Sequence, residues 1–128
     1  MQFTCISASE KTCMVGTGYI GVGDNTDGLA VSQSYSTNLL VIPETADGYK
    51  VVKIGGSAFN GCSKIKGVQI PESVTSIGNY SFQDCDGLTS ISVPNSVTTI
   101  EEYAFSLCDN LEEITIGSSV KSIEGLAL

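Results

Sequence analysis

Five cysteines, fourteen carboxylates and no histidine bound the chemistry this chain can attempt. Cys62, Cys85 and Cys108 stand 23 residues apart. A structural zinc site draws on closely spaced cysteine pairs, and these three are not so spaced. Thiols at a long fixed interval fit a row of small apolar side chains packed inward. Side chains stacked in parallel also have the wrong torsion for disulfides. Cys5 and Cys13 are a separate case. They are symmetric about Ser9, so a hairpin turning at Ser9-Glu10 sets them opposite each other. A cross-strand disulfide can form there in an oxidising compartment; the alternative is two buried thiols.

The carboxylates offer little more. Asp24-Asn25-Thr26-Asp27-Gly28 has the residue types of a calcium loop. It lacks the alternating acidic ligands and the later glutamate such a loop needs, and reads as a surface turn. Glu101-Glu102 and Glu112-Glu113 are adjacent in sequence. On strands, neighbours face opposite ways, so neither pair converges as an acid and base; both read as solvated charge. Without histidine, His-based triads and His-ligated metals are excluded. No enzyme activity, metal or cofactor is expected.

The elements that carry these residues repeat. Ile54, Ile77, Ile100 and Ile123 share the 23-residue interval, as do Phe59, Phe82 and Phe105, and Val51, Val74, Val97 and Val120. A fixed period of this length predicts identical coils stacked into a solenoid. Each unit has two parts. In Leu88-Thr89-Ser90-Ile91-Ser92-Val93-Pro94, Ile91 and Val93 alternate with polar neighbours as a half-buried strand requires. Copies of that strand are expected to pair in parallel, and Pro94, lacking an N–H, ends it. In Ser96 to Cys108, Val97 and Ile100 point inward from a second short strand. Ala104-Phe105 and Cys108 are placed on a tight helical turn, with the three Phe rings in a stacked row. The structural ladder is thus Phe59, Phe82, Phe105, Cys62, Cys85 and Cys108.

The first copy carries five extra residues around Glu44 to Lys50, where Asp47-Gly48 predicts the turn of a small hairpin. Residues 1–38 do not follow the repeat. Phe3 to Ile6 and Thr12 to Val15 read as two strands, Gly16 to Gly28 as loop, and Leu29 to Ser34 and Leu39 to Ile42 as further short strands. The expected organisation is an N-terminal β cap over 1–38 and about three and a half coils over 39–128.

Composition narrows the partners. Fourteen acids against six lysines leave a net charge of −8, which repels phosphate backbones and anionic membranes. No nucleic acid and no membrane insertion are expected, and no apolar run reaches the ~20 residues of a spanning helix. The start lacks a basic n-region and an apolar stretch, so it is not read as a signal peptide. Ala127 and Leu128 fall in mid-repeat with no capping unit. Solenoids need capped ends, so the chain is expected to be a piece of a longer protein, or to self-associate at this C-terminal edge.

The unit Ile70-Pro71-Glu72-Ser73-Val74-Thr75-Ser76-Ile77, followed by Ser81-Phe82, Cys85 and Leu88, resembles the BspA-like class of leucine-rich repeats, a 23-residue bacterial type. Gly117 in place of Pro, Lys121 in place of Thr and Leu128 in place of Phe depart from it. The resemblance implies a mainly β, right-handed solenoid of parallel strands and short helical turns. It also implies a secreted or cell-surface protein engaged in adhesion to a protein or glycan ligand. No ligand residues carry over, because the shared positions are the buried ones. The candidate ligand face is instead read from strand alternation: Gly67, Gln69, Ser90, Ser92, Glu113 and Thr115. It lacks the Trp, Tyr or Arg anchors of most hot spots, so a structural spacer is the second expectation. Tyr80 and Tyr103 are expected half-exposed on the opposite side.

Overall fold

A computed structural model describes residues 1–17 and 29–125. The acidic turn at 24–28 and the mid-repeat end at Ala127-Leu128 lie outside them. Among the described residues eleven strands run β1 (Phe3–Ser7), β2 (Thr12–Val15), β3 (Leu40–Val41), β4 (Thr45–Ala46), β5 (Tyr49–Ile54), β6 (Gly67–Gln69), β7 (Ser76–Ile77), β8 (Ser90–Val93), β9 (Thr99–Ile100), β10 (Glu113–Ile116) and β11 (Ser122–Ile123).

They form two sheets. One is ordered β1-β2-β5-β7-β9-β11 with β4 on β5; the other is β10-β8-β6-β3. Parallel pairing keeps the sequence interval: Ile54↔Ile77↔Ile100↔Ile123 in the first, and Val68↔Ile91↔Ile114 in the second. Like residues therefore meet like residues across each layer. Val51, Val74 and Val97, with Ile54, Ile77 and Ile100, are fully buried between the sheets.

The side joining the sheets holds the Phe row. Phe59 and Phe82 stack with centroids 5.2 Å apart, and Phe82 and Phe105 at 5.4 Å and 3°. All three are at most 2% exposed. Parallel strands stand ~4.8 Å apart. Rings repeating at that rise have room only for parallel, offset stacking.

The expected helical turn on this side is not helical, and no described residue is in a helix. Alternate N–H groups bond to the next coil instead of to their own. Ser57, Phe59 and Gly61 donate to the carbonyls of Asn79, Ser81 and Gln83 at 2.7–2.9 Å. Tyr80, Phe82 and Asp84 repeat this to Glu102, Ala104 and Ser106. Intervening residues close tight turns within the coil, such as Ala58 N–H to the Gly55 carbonyl. Left-handed backbone at Ser57, Tyr80 and Tyr103, and again at Gly61, Asp84 and Leu107, alternates the N–H directions. An α-helix would spend every N–H on the residue four back and leave the coils unjoined here.

Coil stacking also reaches back before residue 39. Ala30 N–H bonds to the Ala58 carbonyl at 2.7 Å, as Phe59 N–H does to Ser81 and Phe82 N–H to Ala104, so Ala30 occupies the column of Phe59, Phe82 and Phe105. Residues 29–34 are therefore turn rather than the strand read from their alternation. The insertion is the expected hairpin: β4 pairs antiparallel with β5, and Asp47 and Gly48 both have positive φ (51° and 80°), a type I′ turn.

Ser81 is fully buried and its Oγ has no hydrogen-bond partner among the described residues. Its column neighbours, Ala58 and Ala104, are alanines. Removing the unpaired hydroxyl should raise stability, so Ser81→Ala is expected to gain ~1 kcal/mol, read as a higher urea midpoint at unchanged slope.

Candidate functional site

The outward face of β10-β8-β6-β3 gathers all six candidate face residues. Alternation turns Val68, Ile91 and Val93 into the core and leaves Gln69, Ser90, Ser92, Glu113 and Thr115 exposed, with Gly67 half-buried. Register aligns them in two columns, Gly67–Ser90–Glu113 and Gln69–Ser92–Thr115. Strand β3 lengthens the second column, because Val41 pairs with Gln69. Leu39 lies beside Gly67, where an added Cβ would come 3.6 Å from its Cδ1.

Leu39 and Val41 are exposed by 52% and 55%. Sequence reasoning missed both. Their strand precedes the five-residue insertion, so the repeat frame does not number them with their column. Aligning the strands alone, without the second half of the unit, would have found them. The face thus grades from apolar at β3, through small hydroxyls on β8, to an acidic and hydroxyl end on β10. The flanking column runs from basic to acidic as Lys66, Thr89 and Glu112, joined by backbone bonds from Thr89 N–H to the Lys66 carbonyl and from Glu112 N–H to the Thr89 carbonyl. Such a surface is exposed, rich in hydrogen-bonding side chains and graded along one direction.

The carboxylate pairs do not converge. Glu101 meets Lys53 across the coils at 3.3 Å, both partly exposed, while Glu102 stays in solvent. Among the described residues no three metal-capable side chains come together. Tyr80 and Tyr103 stack at 5.1 Å and 2°, half-buried in the turn column.

The thiol ladder packs inward, with a detail the spacing does not reveal. Cys85 Sγ donates to the Phe59 carbonyl at 3.1 Å and Cys108 Sγ to the Phe82 carbonyl at 3.0 Å. Each thiol thereby ties its coil to the one before. Burial pushes the Cys62 thiol up to about 11. A hydrogen bond to Cys108, then burial, raises that of Cys85. Since the thiolate is the reactive species, these two sulfurs are inert near neutral pH.

Cys5 and Cys13 sit directly opposite each other on the antiparallel pair β1–β2. Cys13 is buried and Cys5 exposed, so they are not two buried thiols. Both line a cavity of about 630 Å³ between the N-terminal hairpin and the β4–β5 insertion, walled also by Phe3, Ala46 and Tyr49.

The family model of the BspA type leucine rich repeat region matches residues 32–128 in six copies. No curated protein matches the chain. Among solved structures, it is similar to a leucine-rich repeat protein from Bacteroides capillosus, with 33% identity and a TM-score of 0.70 over 94% of this chain and 80% of the other. A leucine-rich repeat protein from Bacteroides ovatus matches with 28% identity and a TM-score of 0.75 over 98% of this chain and 30% of that one. The T. pallidum leucine rich repeat protein matches with 26% identity and a TM-score of 0.72 over 98% of this chain. The chain spans 62% of the T. pallidum protein's length.

Proposed function

This chain belongs to the BspA-type leucine-rich repeat family, and from that premise we propose that it is a non-catalytic binding module, a right-handed solenoid working as part of a bacterial surface or secreted protein. It engages a protein or glycan ligand through the β10-β8-β6-β3 face. The observation that carries this reading is the pair of exposed side-chain columns. Val41, Gln69, Ser92 and Thr115 are held in strand register across four strands without being needed by the core beneath. Repeat proteins bind through extended surfaces of this kind.

The test is binding of the purified chain to a glycan array and to immobilised extracellular-matrix proteins, repeated with Ser92→Arg. A long charged side chain at the middle of the face should weaken binding by tenfold or more, since an uncompensated steric and charge mismatch costs at least ~1.4 kcal/mol. The urea midpoint should not move, because Ser92 is exposed. Equal binding by Ser92→Arg would sink the proposed face. The second reading, a spacer that only displays neighbouring segments, is favoured by the small hydroxyls at the centre of the face and by its want of aromatic or Arg anchors. Silence of the unmodified chain across both panels would select it.

A further inference from the structure

The hydrogen-bond pattern of the N-terminal hairpin defines the kind of site that Cys5 and Cys13 occupy. Gly16 N–H donates to the Gln2 carbonyl at 2.7 Å, and Phe3 pairs with Val15 between them. That bond brackets Phe3↔Val15 as a non-hydrogen-bonded pair. Thr4↔Met14 is then the hydrogen-bonded pair, and Cys5↔Cys13 is again non-hydrogen-bonded. In pairs of this class the Cα atoms stand ~4.5 Å apart and the side chains approach most closely. A disulfide needs Cα atoms ~4.4–6.8 Å apart, so this register admits one without moving the backbone. Cys85 and Cys108 of the ladder differ, each sulfur being held 3.0–3.1 Å from a carbonyl of the coil before.

The two sulfurs are also unequal in a useful way. Both lie on the inward side of the hairpin with Phe3 and Val15, yet Cys5 is exposed because the cavity opens beside it. Cys13 is 3% exposed, and its Sγ lies 3.9 Å from the Tyr49 carbonyl. Burial, and then the neighbouring Cys5, pushes the Cys13 thiol up. A soluble reagent therefore reaches Cys5 first, while Cys13 can react only with a sulfur already at its side. Next to Cys5 the strand bulges at Ile6, which is 50% exposed, before pairing resumes at Ser7↔Thr12. Beyond the bulge, β1 is an edge strand held by β2 alone.

We propose that Cys5 and Cys13 are a thiol–disulfide exchange pair that locks β1 onto the sheet, with Cys5 the entry sulfur and Cys13 the resolving one. The co-reactant is a low-molecular-weight disulfide. The Cys5 thiolate, having given up its proton, attacks one sulfur of that disulfide; its S–S bond breaks and one small thiolate leaves. The Cys13 thiolate, likewise deprotonated, then attacks Cys5 Sγ. The Cys5–Cys13 bond forms, the mixed disulfide breaks and the second small thiolate leaves. The two protons released by the cysteines end on the two small thiols. Two protein thiols are oxidised, and one small disulfide is reduced. The oxidised hairpin then covers the sheet edge by a covalent tie, and the reduced one by non-covalent contacts alone, among them the Thr4 hydroxyl donating to the Gly16 carbonyl and Phe3 packing on the core.

The experiment treats the full chain with oxidised glutathione and reads intact mass and peptide maps. The expected product is a chain lighter by two hydrogens, with its single bond mapped to Cys5–Cys13. Amide exchange in β1 should slow roughly 10- to 100-fold on oxidation. Cys13→Ser should accumulate one glutathione on Cys5, and Cys5→Ser should stay unmodified under the same conditions. Because Cys13 is buried, Cys13→Ala serves as the second trapping variant, with circular dichroism confirming that the variant used is folded. A stable glutathione adduct on the unmodified chain, no reaction, or a bond mapped to Cys62, Cys85 or Cys108 would each overturn the proposal.

Discussion

Truncating Phe82 to alanine should cost ~3–5 kcal/mol, the range for a fully buried aromatic whose site cannot collapse. Phe82 is the middle ring of the row and, among the described residues, the only one of the three with a ring stacked on each side, Phe59 and Phe105. The neighbouring coils cannot close on the void, because the backbone bonds from Phe59 N–H to the Ser81 carbonyl and from Phe82 N–H to the Ala104 carbonyl hold the rise between them. Phe105→Ala should cost less, since Phe105 loses one ring contact rather than two. Chemical denaturation of both variants checks this; a loss below ~1 kcal/mol for Phe82→Ala would mean the row is not a core.

The second large effect comes from adding an atom. At Gly78 a Cβ would sit 2.6 Å from Gly56 N, 2.7 Å from the Ile54 carbonyl oxygen and 2.8 Å from Gly55 C. All three are backbone, so no side chain can rotate away. The same Ile54 oxygen accepts the Gly78 N–H at 2.8 Å. Gly78→Ala must therefore lift one coil off another and lengthen that bond. We expect a loss of ~3 kcal/mol, at the upper end for overpacking. Gly125→Ala, where a Cβ meets none of the described residues within 4 Å, is the matched control and should leave the urea midpoint unchanged. Equal midpoints for the two variants would disprove the close approach.

The ladder positions were legible in the sequence because stacking forces equivalent residues into contact, and contact selects the same residue type each time. Ile54, Ile77 and Ile100 announce themselves that way, as do the three Phe and the three ladder Cys. The type I′ turn was legible for another reason, Asp47-Gly48 being a dipeptide with strong left-handed preference. The left-handed residues of the coil turns were not. Tyr80, Asp84, Tyr103 and Leu107 adopt positive φ, which for Tyr and Leu runs against intrinsic preference. Inter-coil hydrogen bonds impose it, and no local signal encodes those. Ala104-Phe105 near Cys108 therefore read as helix. The six face residues were legible from alternation alone, whereas Leu39 and Val41 were hidden by the insertion that follows them. The pairing of Cys5 with Cys13 followed from symmetry about Ser9, but its non-hydrogen-bonded class needed the bond from Gly16 to Gln2.

The turn column has a further consequence for how such a chain can change over generations. Most backbone bonds that join one repeat coil to the next link positions within one residue of a full period, from Ser57–Asn79 and Phe59–Ser81 to Thr98–Lys121. Duplicating or excising one whole unit would leave each survivor facing an equivalent neighbour. Such a molecule can therefore be lengthened or shortened by genetic slippage in steps of one coil without inventing a new interface.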